Sequence, residues 1–396
     1  AVIISNRGGL PQTITDEIIL EQLSVKCLFD NIKKLINNKI KRTNLQLLSK
    51  NNFYLTHKFV SNKIDQFRDL KLKKINIFNI RKNLKNLRIL HVTNFNERHN
   101  GRLFYNGFIR LHHSVLEFSD RDIQRYYKDY KDISGAKSLN DKLKKTCYNY
   151  KPDLIVLGHA DLISPNTLGE LKDDYPQLKI SQWFLDPLNK NGPDYSRNKG
   201  RILDKSDFLE ANFITTSPDV LKFLPSNVNN FFIPNPSDNS FEILNNFQEN
   251  CNMDVFFALS HGVHRGILKT GKFDDRSNFI ENLVKKTLNV KFDIYGLKKV
   301  QPIWADQYFK TIANSKMGLN LSRGTPIKYY SSDRITQIVG NGLVALIDEK
   351  TQYDKFFNKN EMVFYKNVDD LSEKILKISK DDKLRRKIAR NGKIKY

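Results

Sequence analysis

Cysteine is scarce in this 396-residue chain: Cys27, Cys147 and Cys251 stand far apart, with no CxxC spacing. That excludes a disulfide framework and a cysteine-based zinc site, and it implies a reducing compartment. No apolar run approaches the roughly 18 residues of a membrane span, so neither a transmembrane nor a secretory chain is expected. The absence of GxGxxG after a first strand sets aside a dinucleotide-dependent dehydrogenase. RNA-recognition signatures, basic zippers and zinc fingers are also missing, which removes nucleic acid as a specific partner.

Positive charge, by contrast, is abundant. The formal net charge is +23, and residues 1–88 alone hold 18 Lys/Arg against 6 Asp/Glu. Such a surface favours acidic lipid headgroups or phosphorylated substrates, so a cytoplasmic protein with peripheral contact at the inner face of an anionic membrane is the expectation.

Short apolar runs alternate with longer helical stretches through most of the sequence. LRILHVTN (87–94), DLIVLGHAD (153–161), KISQWFLDP (179–187), NFITTSP (212–218), MDVFFALSHG (253–262), KFDIYGL (291–297), MGLNLSRG (317–324) and GLVALID (342–348) read as strands of parallel sheets in an α/β protein. The proline-bearing stretch NNFFIPNPSDNS (229–240) predicts a crossing between two α/β halves.

The two ends of the chain repeat one pattern. VIIS, a loop, EIIL (17–20) and LFDNIKKLINNKIKRTNLQLLSKNNFY (28–54) match LVALID, a loop, EMVFY (361–365) and LSEKILKISKDDKLRRKIARNGKIKY (371–396), element for element. An internal duplication is expected, with residues 1–75 as the tail of one α/β unit, 76–87 as a basic linker, and 88–240 and 241–396 as two domains.

Ligands of open α/β sheets lie beyond the carboxyl ends of the strands, so the residues after each run are the candidates. After FFALS come His261, Gly262, Arg265 and Lys272, a glycine-containing turn with the charge a diphosphate needs. The two nearby histidines have no third partner in suitable spacing, and a metal is not expected. After MGLNLSRG, Ser331 or Ser332 is expected to cap a helix with Asp333 in its first turn, running to Gly340; Lys328 or Arg334 could bind phosphate or sugar, and Tyr329 or Tyr330 could stack on a base. On the other half, His159, Asp161 and Asp186 follow strand ends, where a base or an acceptor-positioning carboxylate is useful. Asp120-Arg121-Asp122 has the form of a metal-binding DxD, but its charged surroundings predict a solvated helix face.

Together these residues resemble the group 1 glycosyltransferases of the GT-B fold, two facing Rossmann-like domains of which the C-terminal one binds a nucleotide-sugar donor and the N-terminal one an acceptor. The resemblance implies Arg265 and Lys272 as donor-phosphate ligands, IPNPSDN as the interdomain crossing, and no cofactor beyond the nucleotide sugar as substrate. VIISNRGGLPQT resembles the family's Gly-Gly-x-Pro-Glu stretch, with Gln12 in place of Glu. Two departures stand out: KYYSSDRITQIVGNG lacks the family's paired glutamates, and the chain stops at Tyr396, where the family continues into a last helix. The implied activity is metal-independent, retaining sugar transfer to a glycan or envelope-polysaccharide acceptor. The alternative is a catalytically inactive relative that binds an anionic glycan or membrane surface.

Overall fold

The structure is a computed structural model of the full chain, and it describes residues 1–5, 18–53, 56–72, 86–95, 100–192, 194–259, 263–264, 267–268, 275–297 and 300–396. The chain divides into two compact units, Ala1–Leu84 and Lys85–Tyr396. Among the described residues, no helix is long and apolar enough to cross a membrane.

In the first unit, β1 (Ile3–Ser5) and β2 (Ile18–Leu20) pair in parallel, with Ile3 opposite Ile18. Three helices follow: α1 (Val25–Asn37), α2 (Lys39–Asn52) and α3 (His57–Leu72). The first two start where short polar side chains satisfy orphan amides: Ser24 Oγ accepts from the Cys27 amide and Asn38 Oδ1 from that of Lys41. The opening run is therefore a strand, as its apolar character suggests; the glycines after it, Gly8 and Gly9, lie outside the described residues.

The second unit holds two parallel sheets. The first uses β3 (Arg88–Thr93), β4 (Ser114–Phe118), β5 (Leu154–Gly158), β6 (Lys179–Phe184), β7 (Ala211–Ile214) and β8 (Asn229–Phe232), in the order β4-β3-β5-β6-β7-β8. Helices α4 (Asn100–Arg110), α5 (Asp120–Tyr126), α6 (Ala136–Tyr150), α7 (Pro165–Asp174) and α8 (Tyr195–Leu203) connect them. Parallel strands need such crossovers, and helices cover the sheet, which is why LIVL is a continuous apolar run rather than an alternating one. Leu90, Val92, Ile155, Leu157 and Ile180 form one core with Leu139, Leu143 and Leu168 of the helices.

The second sheet contains β9 (Met253–Ala258), then the short hairpin β10 (Val263–His264) and β11 (Ile267–Leu268) outside the sheet itself, then β12 (Phe292–Tyr295), β13 (Ser315–Leu319), β14 (Val344–Asp348) and β15 (Val363–Tyr365). Its order is β12-β9-β13-β14-β15, all parallel. Its helices are α9 (Asp275–Lys286), α10 (Ala305–Ile312), α11 (Arg334–Gly340), α12 (Val368–Lys380) and α13 (Asp382–Lys395). Gly318 lets α11 lie directly on β13, since a Cβ there would meet the Ile338 side chain at 2.5 Å.

Two strands of the first sheet were not expected from the sequence. β4 and β8 are the edges of the first sheet, where half-exposed residues such as Glu117 and Asn229 replace the continuous apolar run that marks a central strand. The 235–250 stretch between the sheets is tied to both. Arg110 of α4 forms a bidentate pair with buried Asp238, the Asn235 side-chain amide donates to the Ser331 carbonyl (2.8 Å), and the Tyr396 hydroxyl donates to the Asn235 carbonyl (2.7 Å). Burial alone would raise the Asp238 carboxyl; Arg110 and Ser240 more than offset this and hold it below the usual range.

Candidate functional site

The loops after the carboxyl ends of the two sheets meet. Asn189, beyond β6, donates its side-chain amide to the Thr325 carbonyl beyond β13 (2.6 Å), and the Ser217 amide beyond β7 donates to the Lys328 carbonyl (3.1 Å). Arg323 lies 3.6 Å from Asp194, and Lys328 pairs with Asp219. Loops following strands of both sheets are therefore in contact, and the candidate crevice is the place where they meet.

On the first-sheet side, the expected trio does converge. His159 immediately follows β5 and takes a left-handed backbone (φ 51°), a conformation uncommon for a non-glycine residue. Gly158 before it cannot be larger, because a Cβ would lie 2.0 Å from the Trp183 ring. The His159 ring stacks on Phe184 (centroids 5.3 Å apart, 19° between planes), and its Nε2 faces Asp186 Oδ2 at 3.8 Å. Asp186 and Asp161 share one cation: Arg201 donates to Asp161 (2.6 Å) and lies 3.6 Å from Asp186. Arg121 stands 3.8 Å from Asp161 on the other side.

Burial lowers the His159 pKa below its ordinary value, with Asp186 and Asp161 pulling the other way and Arg201 and Arg121 adding to the lowering. The imidazole is thus neutral at neutral pH. It can accept a proton or hold a hydroxyl, while Arg201 sits between the two carboxylates. A small cavity lined by His159, Asp161, Trp183 and Arg201 opens here.

Arg201 was not singled out from the sequence, where it is one of 66 Lys/Arg and carries no motif. Asp120 corrects an expectation outright. Rather than sitting on a solvated face, it is fully buried at the end of β4, and neither carboxylate oxygen has a hydrogen-bond partner among the described residues. Burial pushes its carboxyl up to about 6, against the pull of the Arg121 amide and charge. Asp122 does face solvent, pairing with Arg125 at 3.6 Å, so the two carboxylates do not converge as a DxD pair would.

On the second-sheet side, α11 runs from Arg334 to Gly340 as expected, but its start is built differently. Asp333 occupies the cap position and makes no side-chain cap bond. The two serines are not caps, because buried Asn320 beyond β13 engages both: its Nδ2 donates to Ser331 Oγ (2.7 Å) and Ser332 Oγ donates to its Oδ1 (2.9 Å). Arg334 donates to the Ala258 carbonyl (2.9 Å), the Leu321 carbonyl (3.2 Å) and Ser332 Oγ (3.0 Å), with its guanidinium over the Phe257 ring. It thereby laces together the carboxyl ends of β9 and β13. Arg276, on α9, is close enough for its charge to act on Arg334.

The aromatic expectation is redirected too. Tyr329 (φ 62°) packs between Phe232 and Phe356, and Tyr330 is almost wholly buried, so both rings fill the junction between the two sheets rather than offering a free face. Lys328 is paired with Asp219 and lies over Tyr329. His261, Gly262, Arg265 and Lys272 fall outside the described residues.

Comparison with known proteins fits this layout. Residues 276–396 match a family model described as glycosyl transferase-like. The crystal structure of Anabaena Alr3699/HepE in complex with UDP-glucose is similar at a TM-score of 0.50 and 11% identity, covering 78% of this chain and 94% of that one. The chain has the GT-B glycosyltransferase fold. The same Anabaena protein with UDP (TM-score 0.49, 10% identity, 78% and 94% covered) and an E. coli structure described as trehalose-6-phosphate bound with UDP-2-fluoro glucose (0.45, 12%, 78% and 94%) are also similar. Among curated protein sequences none matches the chain. Beyond the strand ends, the chain presents carboxylates and an imidazole on the side of the first sheet and the Arg334 guanidinium on the side of the second.

Proposed function

We propose that the chain transfers a glycosyl group from a nucleotide-sugar donor to a hydroxyl of a glycan or envelope-polysaccharide acceptor, without a metal and with retention at the anomeric carbon. The observation that carries this reading is that the His159–Asp186–Arg201–Asp161 cluster and Arg334 each lie beyond the carboxyl ends of their own sheet, where loops of the two sheets are in contact. Cleavage of the anomeric C–O bond leaves charge on the diphosphate as the sugar gains oxocarbenium character. Fixed cations in a partly water-excluded site stabilise that charge at little reorganisation cost. Arg276 and Arg334, with Arg265 and Lys272 of the sequence that precedes α9, fill this role. Lys328, Ser332 and Asp333 shape the loop that carries it. His159, Asp161 and Asp186 orient the hydroxyls of the reacting sugars; on the retaining course the acceptor oxygen approaches on the face the diphosphate leaves, and the departing phosphate oxygen takes the proton.

Calorimetric titration with nucleoside diphosphates, beginning with UDP because the similar Anabaena structure holds UDP-glucose, tests the donor half. Binding should be lost in Arg265→Ala/Lys272→Ala. Binding of no nucleotide in the series would end the proposal.

A further inference from the structure

The first unit copies the end of the second sheet's domain closely enough to show what it lacks. β1 and β2 pair in parallel as β14 and β15 do. Then α1 and α12 each run 13 residues, one residue intervenes, and α2 and α13 each run 14. That single residue, Asn38 or Asp381, caps the second helix of its pair, with φ −122°, ψ 85° in one copy and φ −111°, ψ 85° in the other. In this register Leu28, Ile32, Leu35 and Leu45 correspond to Leu371, Ile375, Ile378 and Ile388, and Arg42 corresponds to Arg385.

The copies differ in what covers them. Leu371, Ile375, Ile378 and Ile388 are buried with Val255, Met317, Leu319 and Val344 of the sheet. Leu28 and Ile32 are each 41% exposed, and Val25, Phe29 and Ile36 on the same stripe are more so. β14 has strand neighbours on both sides, whereas β1 has only β2 among the described residues. Arg385 donates to the Asn246 and Glu249 carbonyls of the chain that precedes the sheet; Arg42 donates to the Leu35 and Ile36 carbonyls of α1, the helix paired with its own. Two parallel three-residue strands cannot hold an apolar helix face by themselves.

We propose that the first unit is a docking element for a parallel α/β sheet of the β9–β13 type, supplied by other polypeptide, whose last strand pairs with the open edge of β1 and whose face covers Leu28, Ile32 and Leu45. The chemistry of the occupant follows from the second copy: an apolar parallel strand edge, not a lipid surface. This stands independently of the transfer reaction.

The probe is this chain's own sequence. Residues 241–343 are fused ahead of Ala1 of the full chain, so that Leu343 precedes Ala1 as it precedes Val344. Amide exchange in β1, α1 and α2 should slow by at least about 100-fold relative to the parent chain, and Leu28→Glu/Ile32→Glu should abolish the slowing. As a second arm, residues 1–53 replace 344–396, and the β9 amides should remain protected. Protection in either fusion supports the proposal. Its absence in both overturns it, as does binding of the parent chain to phosphatidylglycerol vesicles that Leu28→Glu/Ile32→Glu removes.

Discussion

The two walls of the crevice use charge in opposite ways. On the first-sheet wall, His159, Asp161, Asp186 and Arg201 bond chiefly to one another and keep part of their surface open. On the second-sheet wall, Arg334 and Ser332 are bound into the backbone and to Asn320. One wall holds titratable groups poised for a ligand, and the other uses its polar groups to fix the strand ends on which a ligand would sit. Substitutions on the first wall should therefore change chemistry with little loss of stability, while those on the second should lose both together.

The largest expected effect is that of Arg334→Met. Removing charge-assisted bonds to two strand-end carbonyls should cost about 2–4 kcal/mol in urea unfolding, and nucleotide binding should disappear with it. Loss of stability with binding intact would break the contrast between the walls.

Next is the pH dependence set by Asp120. Its carboxyl titrates near 3.8 when unfolded and at about 6 when folded, so the native state holds more protons between those values. The contribution is complete below the unfolded pKa and lost as pH rises through about 6, roughly 3 kcal/mol at neutral pH from the size of the shift. Urea midpoints measured from pH 4.5 to 7.5 should fall through that window, and Asp120→Asn should flatten the curve.

A smaller and more selective effect is expected of Arg201→Ala. The Arg201 cation lowers the His159 pKa, and its removal also leaves two carboxylates facing the ring. The imidazole titration, followed by NMR, should move to higher pH, and the acid limb of the activity profile should move with it, while the thermal midpoint stays nearly fixed because the pairs are partly solvated. Least of all, Lys328→Ala should leave folding unchanged, since its partner Asp219 is well exposed.

Central features of the fold could be read from the sequence because buried parallel strands leave continuous apolar runs. LIVLG, VFFA and VALI all became strands, and the residues after them, His159 and Asp161 in particular, came to the crevice. The misses share one cause. SVLEF is an edge strand with a weak apolar signal, so Asp120 could not be recognised as a strand-end residue and was read as surface. Likewise, nothing local distinguishes Ser331 and Ser332 from capping serines, because Asn320, which engages them both, lies eleven and twelve residues away in sequence. Arg201 reaches Asp161 across 40 residues, a pairing that only the tertiary fold creates.

The central claim is that the crevice binds and uses a nucleotide sugar. Its most direct test is incubation of the full chain with a panel of nucleotide sugars, UDP-glucose first, followed by measurement of free nucleoside diphosphate. The account predicts slow release from at least one sugar nucleotide, abolished by Arg334→Met and reduced by Arg201→Ala. No release and no binding across the panel would contradict it.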